Sequence, residues 1–240
     1  MCTVTFIYKG NNEFILTSNR DESPNRKTIP PKVSLEQEVG IISPKDALAG
    51  GTWIGASSQK RALCILNGGF KMHERSAHYQ KSRGLVVKEL LTAEDLDSCI
   101  ENQELANVEP FTLVIIDYQN TLGLLELVWD GANAHLKELP LQSHIWSSST
   151  LYSDQMKMER KEWFHQFLAE ENLQAQDLIN FHLNTHADNN NYGLVMDRVF
   201  VKTTSTTQVE KLANSIEMRY YDLQNDQKYV EKLQIVQTVE

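Results

Sequence analysis

The second residue of the chain, Cys2, has the most specific chemistry that the sequence offers. Once Met1 is removed, Cys2 carries both a thiol and a free α-amine. The α-amine has an ordinary pKa of about 7.7–8.0, so a useful fraction is a neutral base at physiological pH. Nucleophile and base then share one residue, and covalent catalysis needs no histidine. The alternative interpretation is a small residue at a frayed chain end.

A predicted β-hairpin brings Arg20 beside Cys2. Residues 2–8 and 13–17 are rich in β-branched and aromatic side chains, and Gly10-Asn11-Asn12 separates the two runs. That pattern is typical of two strands joined by a tight turn. With the turn centred on this triplet, the numbers of opposed residues add up to about 22, so that Cys2 faces Arg20. A slip of one residue would exchange the side chain that faces Cys2.

Arg20 and Asp21 supply the charges that such a nucleophile needs. A guanidinium near a thiol favours the thiolate and lowers the thiol pKa, and it can also hold a substrate carboxylate through two hydrogen bonds. The carboxylate of Asp21 would accept hydrogen bonds from the α-amine and orient it. The alternative is a surface ion pair between the two residues, worth no more than about 1 kcal/mol.

Asn67 and Trp53 are two further candidates. Asn67 follows the apolar run 61–66 and precedes two glycines, so its amide is placed to donate to a developing oxyanion. The alternative for Asn67 is an Asn-Gly turn. Residues 50–55, Gly-Gly-Thr-Trp-Ile-Gly, lack the Lys-Ser/Thr ending of a phosphate loop. They predict a bend followed by a strand, with Trp53 as core packing or as a pocket wall.

The elements that must position these residues follow an α+β order. Residues 19–31 are polar and contain three prolines, which predicts a loop. Helices are expected at 84–91, 92–102, 154–168 and 176–183, with Thr92 and Asp95 as the cap of the second. Further strands are expected at 61–66, 111–117, 122–129, 200–209 and 216–223. Because βαβ alternation is missing, the pattern favours a layered α+β fold over a doubly wound parallel sheet. We expect one domain over residues 1–240.

Composition excludes several classes of function. The 240 residues carry a formal net charge of −9, which argues against nucleic-acid binding and against attraction to an anionic membrane. No apolar run reaches the length of a membrane span. The N-terminus lacks the basic and apolar regions of a signal peptide. Three cysteines without paired spacing indicate free thiols in a reducing compartment. A cytoplasmic location is therefore expected.

No metal or cofactor is predicted. His182 and His186 are four residues apart, which would suit a metal on a helix, but no third ligand is evident and Asn184-Thr185 suits a helix poorly. Cys64 is expected to be a buried small residue and Cys99 to pack on a helix.

Several of these residues together resemble the pattern of a known family. The string Asn19-Arg20-Asp21-Glu22, Cys2 near the start and the glycine-rich run 50–55 together resemble the NRDE family. That family takes its name from the tetrapeptide and includes the transport-and-Golgi-organisation protein of animals. Asp46 and the segment 82–86 fit the same pattern. The resemblance is dense over residues 2–90 and thin afterwards.

The resemblance implies an N-terminal-nucleophile hydrolase fold, a four-layer αββα sandwich. The cysteine branch of that superfamily includes penicillin V acylases and bile-salt hydrolases. By this likeness Cys2 is the nucleophile, Arg20 and Asp21 assist it, and Asn67 contributes to the oxyanion hole. The implied reaction is hydrolysis of a linear amide of a small molecule through a thioester, without a cofactor.

Two regions depart from the family pattern. Relatives tend to have an asparagine in a Leu-Ser-Asn stretch midway along the chain, where this sequence has residues 146–150, so that a serine such as Ser148 becomes the candidate donor. Near the C-terminal end relatives often have an arginine, whereas residues 203–207 here are Thr-Thr-Ser-Thr-Thr. Arg198 is the candidate replacement. Trp53, Ser148 and Arg198 are therefore the expected substrate contacts.

Two alternatives remain beside the enzyme hypothesis. One is a non-catalytic carrier of a small molecule, for which haem handling by animal relatives offers a precedent. The other is a pseudoenzyme with a structural role. The sequence leaves the substrate and the oligomeric state open.

Overall fold

Two antiparallel sheets form the centre of the structure, a computed structural model that describes residues 3–76, 78–170 and 173–235. Within that part of the chain, the first sheet has the spatial order β10 (His144–Ser147), β1 (Thr3–Gly10), β2 (Glu13–Glu22), β11 (Lys202–Leu212), β12 (Ser215–Asp222) and β13 (Gln227–Gln234). The second sheet has the order β3 (Thr28–Glu36), β4 (Val39–Asp46), β5 (Ile54–Ser57), β6 (Arg61–Asn67), β7 (Phe111–Asp117), β8 (Gly123–Trp129) and β9 (Ala134–Leu139).

Helices cover the outer face of each sheet. On the second sheet α1 (Arg83–Thr92) packs against β5 and β6, and α2 (Leu96–Glu101) packs against α1. On the first sheet α4 (Ala175–Asn184) packs against β2 and β11, and α3 (Asp154–Phe167) packs against β10. The layers are therefore helix, sheet, sheet and helix, and the expected α+β sandwich of four layers is confirmed.

Strands β1 and β2 of the first sheet are buried on both faces over most of their length, and their side chains alternate between the two faces. Val4 and Leu16 belong to the core between the two sheets. Ile7 and Ile15 instead join Phe164 in a second apolar cluster under α3 and α4. The β1–β2 hairpin thus packs against an apolar layer on each face, one between the two sheets and one under α3 and α4.

The hairpin register is confirmed for the described residues. Thr3 pairs with Asn19, and each following pair also has residue numbers that add up to the predicted sum until the bulge before Gly10. Cys2, which the prediction concerned, lies outside the described residues.

The predicted loop over residues 19–31 is wrong. β2 continues through Glu22 because β11 pairs with it as far as Lys202. β3 contains Pro30 and Pro31, which fall where its pairing with β4 shifts register. β3 is an edge strand, where prolines and bulges are tolerated because fewer backbone hydrogen bonds are required.

Several other elements match or correct the prediction. The strands at 61–66 and 111–117 and the helix at 154–168 are confirmed to within about two residues, ordinary boundary scatter. Thr92 ends α1 and does not cap α2. Asp95 is the cap, since its side chain accepts a hydrogen bond from the Ser98 amide. None of the helices in the described ranges is long and apolar enough to cross a bilayer.

Candidate active site

The last four residues of β2 point alternately to two faces of the sheet. Asn19 and Asp21 contact groups on the side of α3 and α4, whereas Arg20 contacts Asp46 and Trp53 on the side of the second sheet. This alternation follows from the period of two in a strand. The tetrapeptide therefore takes part in two different environments.

Arg20 is held between the two sheets. It is 2% exposed, and its Nη2 donates to the Asp46 carboxylate at 2.8 Å. Its Nη1 donates to the Arg26 carbonyl and to the Thr28 hydroxyl, and its guanidinium lies 4.5 Å from the centroid of the Trp53 ring. Arg20 makes no hydrogen bond from Nε or from its second Nη2 proton to any described residue. Nε and Nη2 thus retain donor capacity that no described residue uses.

Asp46 ends β4 and anchors two arginines at once. Its Oδ2 accepts from Arg20 and from Arg26 Nε at 2.7 Å, while its Oδ1 accepts from the amides of Leu48 and Ala49. Burial alone would raise the pKa of Asp46. The hydrogen bonds from Ala49 and Arg26 and the two positive charges outweigh burial and hold the pKa below its ordinary value.

A cavity of about 410 Å³ opens at this point between the sheets. Arg20, Trp53 and Asn67 lie in its wall, together with the end of the segment that leads into α1. That volume lies within the range of small-molecule sites. The structure therefore brings together three of the residues that the sequence singled out.

Gly51 and Gly84 allow two segments of the cavity wall to pack in direct contact. A Cβ atom on Gly51 would lie 2.5 Å from the carbonyl carbon of Gly84, and the Thr52 amide donates to the Gly84 carbonyl at 3.3 Å. Only residues without a side chain permit this approach between the segment before Trp53 and the start of α1. The glycine-rich run 50–55 thus allows close backbone packing in the cavity wall.

Asn67 ends β6 and is fixed from behind by a serine. Ser148 Oγ donates to the Asn67 carbonyl at 2.7 Å. Gly68 follows with a φ of +84°, and a Cβ atom there would collide with Ser149 Oγ. The Asn-Gly pair forms no hairpin, because a long segment to α1 follows. Ser148 itself is 1% exposed and is not part of the cavity wall.

On the opposite face, Asp21 is enclosed by hydroxyl groups. Tyr152 donates to its Oδ2 at 2.7 Å and Thr203 to its Oδ1 at 2.6 Å. Asp21 is 2% exposed. The threonine-rich stretch 203–207 thus supplies a hydrogen-bond partner to Asp21.

Asn19 belongs to a buried network with His182. Its Nδ2 donates to the carbonyls of His182 and Leu194, and its Oδ1 accepts from the Thr206 hydroxyl at 2.8 Å. His182 Nδ1 lies 3.0 Å from the same Oδ1 and Nε2 lies 2.8 Å from Thr5 Oγ1. Because an amide oxygen only accepts, Nδ1 carries the proton in the neutral ring. Burial, helped by the charge of Arg160, lowers the pKa of His182 to about 3.

His182 and His186 do not form a metal site together. His182 lies in α4, whereas His186 follows the end of that helix with a φ of +50°, and its ring centroid lies 4.1 Å from that of Trp163. The two side chains therefore have separate partners. No group of three or more potential metal ligands occurs in residues 3–76, 78–170 and 173–235.

Arg198 lies away from the cavity, and Arg160 takes a buried position that the sequence did not predict. Arg198 donates to the carbonyls of Asn191 and Leu151. Arg160 is fully buried, lies 3.6 Å from the centroid of the Tyr152 ring, and donates to Thr3 Oγ1. Arg160 therefore helps to hold the first described residue of the chain, whereas Arg198 braces a loop.

The described cysteines are not suited to nucleophilic chemistry at the cavity. Cys64 is fully buried, and burial raises the pKa of its thiol to about 12. Cys99 is half-buried, and neither cysteine lies in the cavity wall. Cys2, the predicted nucleophile, lies outside the described residues.

The whole sequence, residues 1–240, matches the family Transport and Golgi organisation 2, TANGO2. The chain belongs to the TANGO2 family. No curated protein matches it in sequence.

Solved structures similar to this TANGO2-family chain share one fold. An orthologue of N-acylethanolamine-hydrolyzing acid amidase from Caenorhabditis elegans has a TM-score of 0.57 at 12% identity, covering 86% of this chain and 92% of that chain. A variant of conjugated bile acid hydrolase from Clostridium perfringens has 0.54 at 11%, covering 96% and 92%. Penicillin V acylase from Agrobacterium tumefaciens has 0.54 at 9%, covering 98% and 91%. These likenesses show the N-terminal-nucleophile hydrolase fold.

The site of this TANGO2-family protein also contains residues to which the sequence gave no role. Arg26, Arg83 and Glu109 line the cavity, and Tyr152 binds Asp21. Arg83 lies in the segment 82–86 that fits the family pattern, which was the available signal. Tyr152 carries no local signal, because its partner Asp21 lies 131 positions away in sequence.

Proposed function

We propose that this protein is an N-terminal cysteine amidohydrolase that cleaves a linear amide of a small molecule through a thioester. Cys2, exposed as the first residue after removal of Met1, is the proposed nucleophile. A single domain over residues 1–240 and a cytoplasmic location remain part of this proposal.

The observation that carries the proposal is the hairpin register beside the cavity. Thr3 pairs with Asn19, and the preceding residue is one Cα step of about 3.8 Å away. Thr3 faces Arg160 on the helix side, whereas Val4 faces the core between the sheets. As part of this proposal, we place the Cys2 side chain on the side of Arg20, in line with the register expected from the sequence.

The surroundings supply what a thiolate needs. Positive charge from Arg20 favours the ionised thiol and lowers its pKa. Asn67 lies in the same wall, and its side-chain amide is a candidate donor to the oxyanion. Asp21 is the candidate partner that orients the α-amine from the other face of β2. Trp53 forms the apolar part of the substrate site, and Ser148 contributes by fixing Asn67.

The proposed reaction has two stages. The Cys2 thiolate attacks the carbonyl carbon, and the carbonyl electron pair moves to the oxygen to form an oxyanion. The oxyanion collapses, the C–N bond breaks, and the protonated α-amine passes its proton to the leaving nitrogen. Water then attacks the thioester with the α-amine as base, the C–S bond breaks, and the acid is released with the thiolate restored.

Hydrolysis of a panel of small N-acyl amides, followed as release of the amine, tests this proposal. The Cys2→Ala variant should lose roughly 1,000-fold or more in kcat, because the nucleophile is gone. The matched control Cys99→Ser, which removes a half-buried thiol outside the cavity, should keep the wild-type rate.

Equal rates for wild type and Cys2→Ala, or full activity of material that retains Met1, would contradict the enzyme proposal. Ligand binding that survives Cys2→Ala in a protein without hydrolysis would favour the non-catalytic carrier instead.

A further inference from the structure

The cavity wall is cationic although the chain as a whole is acidic. The chain has 23 Lys and Arg residues against 32 Asp and Glu residues. Among the described residues, the wall reverses this balance with five cations and three carboxylates, namely Arg20, Arg26, Arg75, Lys81, Arg83, Glu22, Asp46 and Glu109. A concave surface of one charge sign concentrates ligands of the opposite sign.

Most of these cations are neutralised by a partner. Asp46 binds Arg20 and Arg26, and Glu22 also approaches Arg26 at 3.5 Å. Glu109 binds Arg83 at 3.0 Å.

The remaining two cations differ from each other. Lys81 binds Glu89, which lies outside the wall. Arg75 is exposed, and within the described ranges no carboxylate lies within ion-pair distance of it. The wall therefore keeps one positive charge without a counter-charge.

Arg75 and Arg83 both line the cavity, and their positive charges repel each other. Burial lowers the pKa of Arg83, Glu109 opposes that effect, and the charge of Arg75 lowers the pKa further. Arg83 uses Nη2 for Glu109 and Nη1 for the Pro110 carbonyl. Two arginines that repel each other across a cavity are relieved by an anion between them.

The wall also contains two buried polar atoms without a partner in the described part of the chain, Trp53 Nε1 and Ser82 Oγ. The Trp53 side chain is 3% exposed. A buried N–H without an acceptor is costly, and an indole nitrogen cannot accept a hydrogen bond itself. Ser82 precedes α1, whose first turn contains no acidic residue. Both residues belong to the cavity wall, in which the five cations also lie.

We propose that Arg75 and Arg83, with Ser82 and Trp53 as neutral donors, form a subsite for a carboxylate group of the substrate. This inference rests on the proposed hydrolase function and specifies its substrate as an amide that carries a negatively charged end. A single uncompensated cation matches a monoanion, and planar guanidinium groups match the geometry of a carboxylate.

Binding to the Cys2→Ala variant tests the subsite without any need for catalysis. Calorimetry would compare N-hexanoylglycine with its uncharged counterpart, N-hexanoylglycinamide, at low ionic strength. The carboxylate should bind roughly tenfold more tightly, because one charge-assisted contact distinguishes the two ligands. Adding Arg75→Gln should abolish most of that preference.

Lys71→Gln is the matched control. Lys71 is an exposed cation on the same segment and is not part of the wall, so its loss should leave the preference intact. Equal affinity for the two ligands would overturn the subsite, as would a preference that survives Arg75→Gln. Tighter binding of the matching N-acyl aminomethylphosphonate would overturn the assignment to a monoanionic carboxylate.

The two proposals fail separately. A strong carboxylate preference in a protein that hydrolyses no amide would support the subsite and defeat the hydrolase. Hydrolysis of neutral and charged amides at equal kcat/KM would defeat the subsite and support the hydrolase.

Discussion

The two faces of β2 at its end differ in how completely the protein satisfies them. On the helix face, Asn19 and Asp21 are almost fully buried, and their oxygens accept from His182, Thr206, Tyr152 and Thr203. On the cavity face, Arg20 is also buried, but its Nε proton has no acceptor among the described residues. The comparison indicates that alternate residues of one tetrapeptide divide the work. Asn19 and Asp21 secure the strand, with Asp21 also the proposed partner of the α-amine, whereas Arg20 and Glu22 line the cavity.

On the helix face of β2, Asn19→Ala should cause the largest loss of folding stability. The substitution removes the Asn19 partner of two buried carbonyl oxygens, of the Thr206 hydroxyl and of His182 Nδ1. Each unsatisfied buried group costs about 1–3 kcal/mol, and partial rearrangement makes about 4 kcal/mol a fair expectation for the total. Urea unfolding followed by circular dichroism measures the loss. A cost below about 1 kcal/mol would show that the network is not a structural anchor.

Acid should lower the free energy of unfolding through His182, which lies on the same helix face of β2. Its folded pKa of about 3 lies below the ordinary value of 6.5. The unfolded chain therefore binds the extra proton first, and stability is fully present above pH 6.5 and falls as the pH drops toward 3. Between pH 7 and pH 5 the free energy of unfolding should fall by about 2 kcal/mol on this account.

The change in unfolding free energy with pH, compared between wild type and His182→Gln, isolates this contribution. A variant whose stability falls as steeply as that of the wild type would assign the acid sensitivity to other groups.

The smallest effect should come from the cavity face. Glu22 and Arg26 are a quarter to a third exposed and 3.5 Å apart, so that solvent screens their ion pair. Glu22→Gln should change the free energy of unfolding by less than about 1 kcal/mol. The same urea titration provides the measurement. A loss of unfolding free energy as large as that of Asn19→Ala would show that the two faces of β2 contribute equally to stability.

The hairpin was predictable from the sequence because local patterns determine it. A glycine-asparagine turn between two β-branched runs sets the register, and the structure has that register from Thr3↔Asn19 to Tyr8↔Phe14. The end of β2 was not predictable in this way. Its polar residues are typical of a loop, and only partners on β11 and α4, more than 160 positions away, make them strand residues.

The candidate site was predictable only in part, for the same reason. Arg20, Trp53 and Asn67 came from motif and position, and the structure brings them to one cavity. The role of Ser148 as a support for Asn67 depends on a contact across 81 positions. The positive excess of the wall depends on the segment before α1, whose path its composition does not determine.

Mass spectrometry of the intact protein, before and after reaction with a small electrophilic amide, tests the central claim most directly. The account predicts a mature chain that begins at Cys2 and gains one adduct, which peptide mapping places on Cys2. Labelling of the Arg20→Gln variant should need a higher pH than labelling of the wild type, because the thiol loses the neighbouring positive charge. An active protein that retains Met1, or an adduct on Cys64 or Cys99 with none on Cys2, would contradict the account.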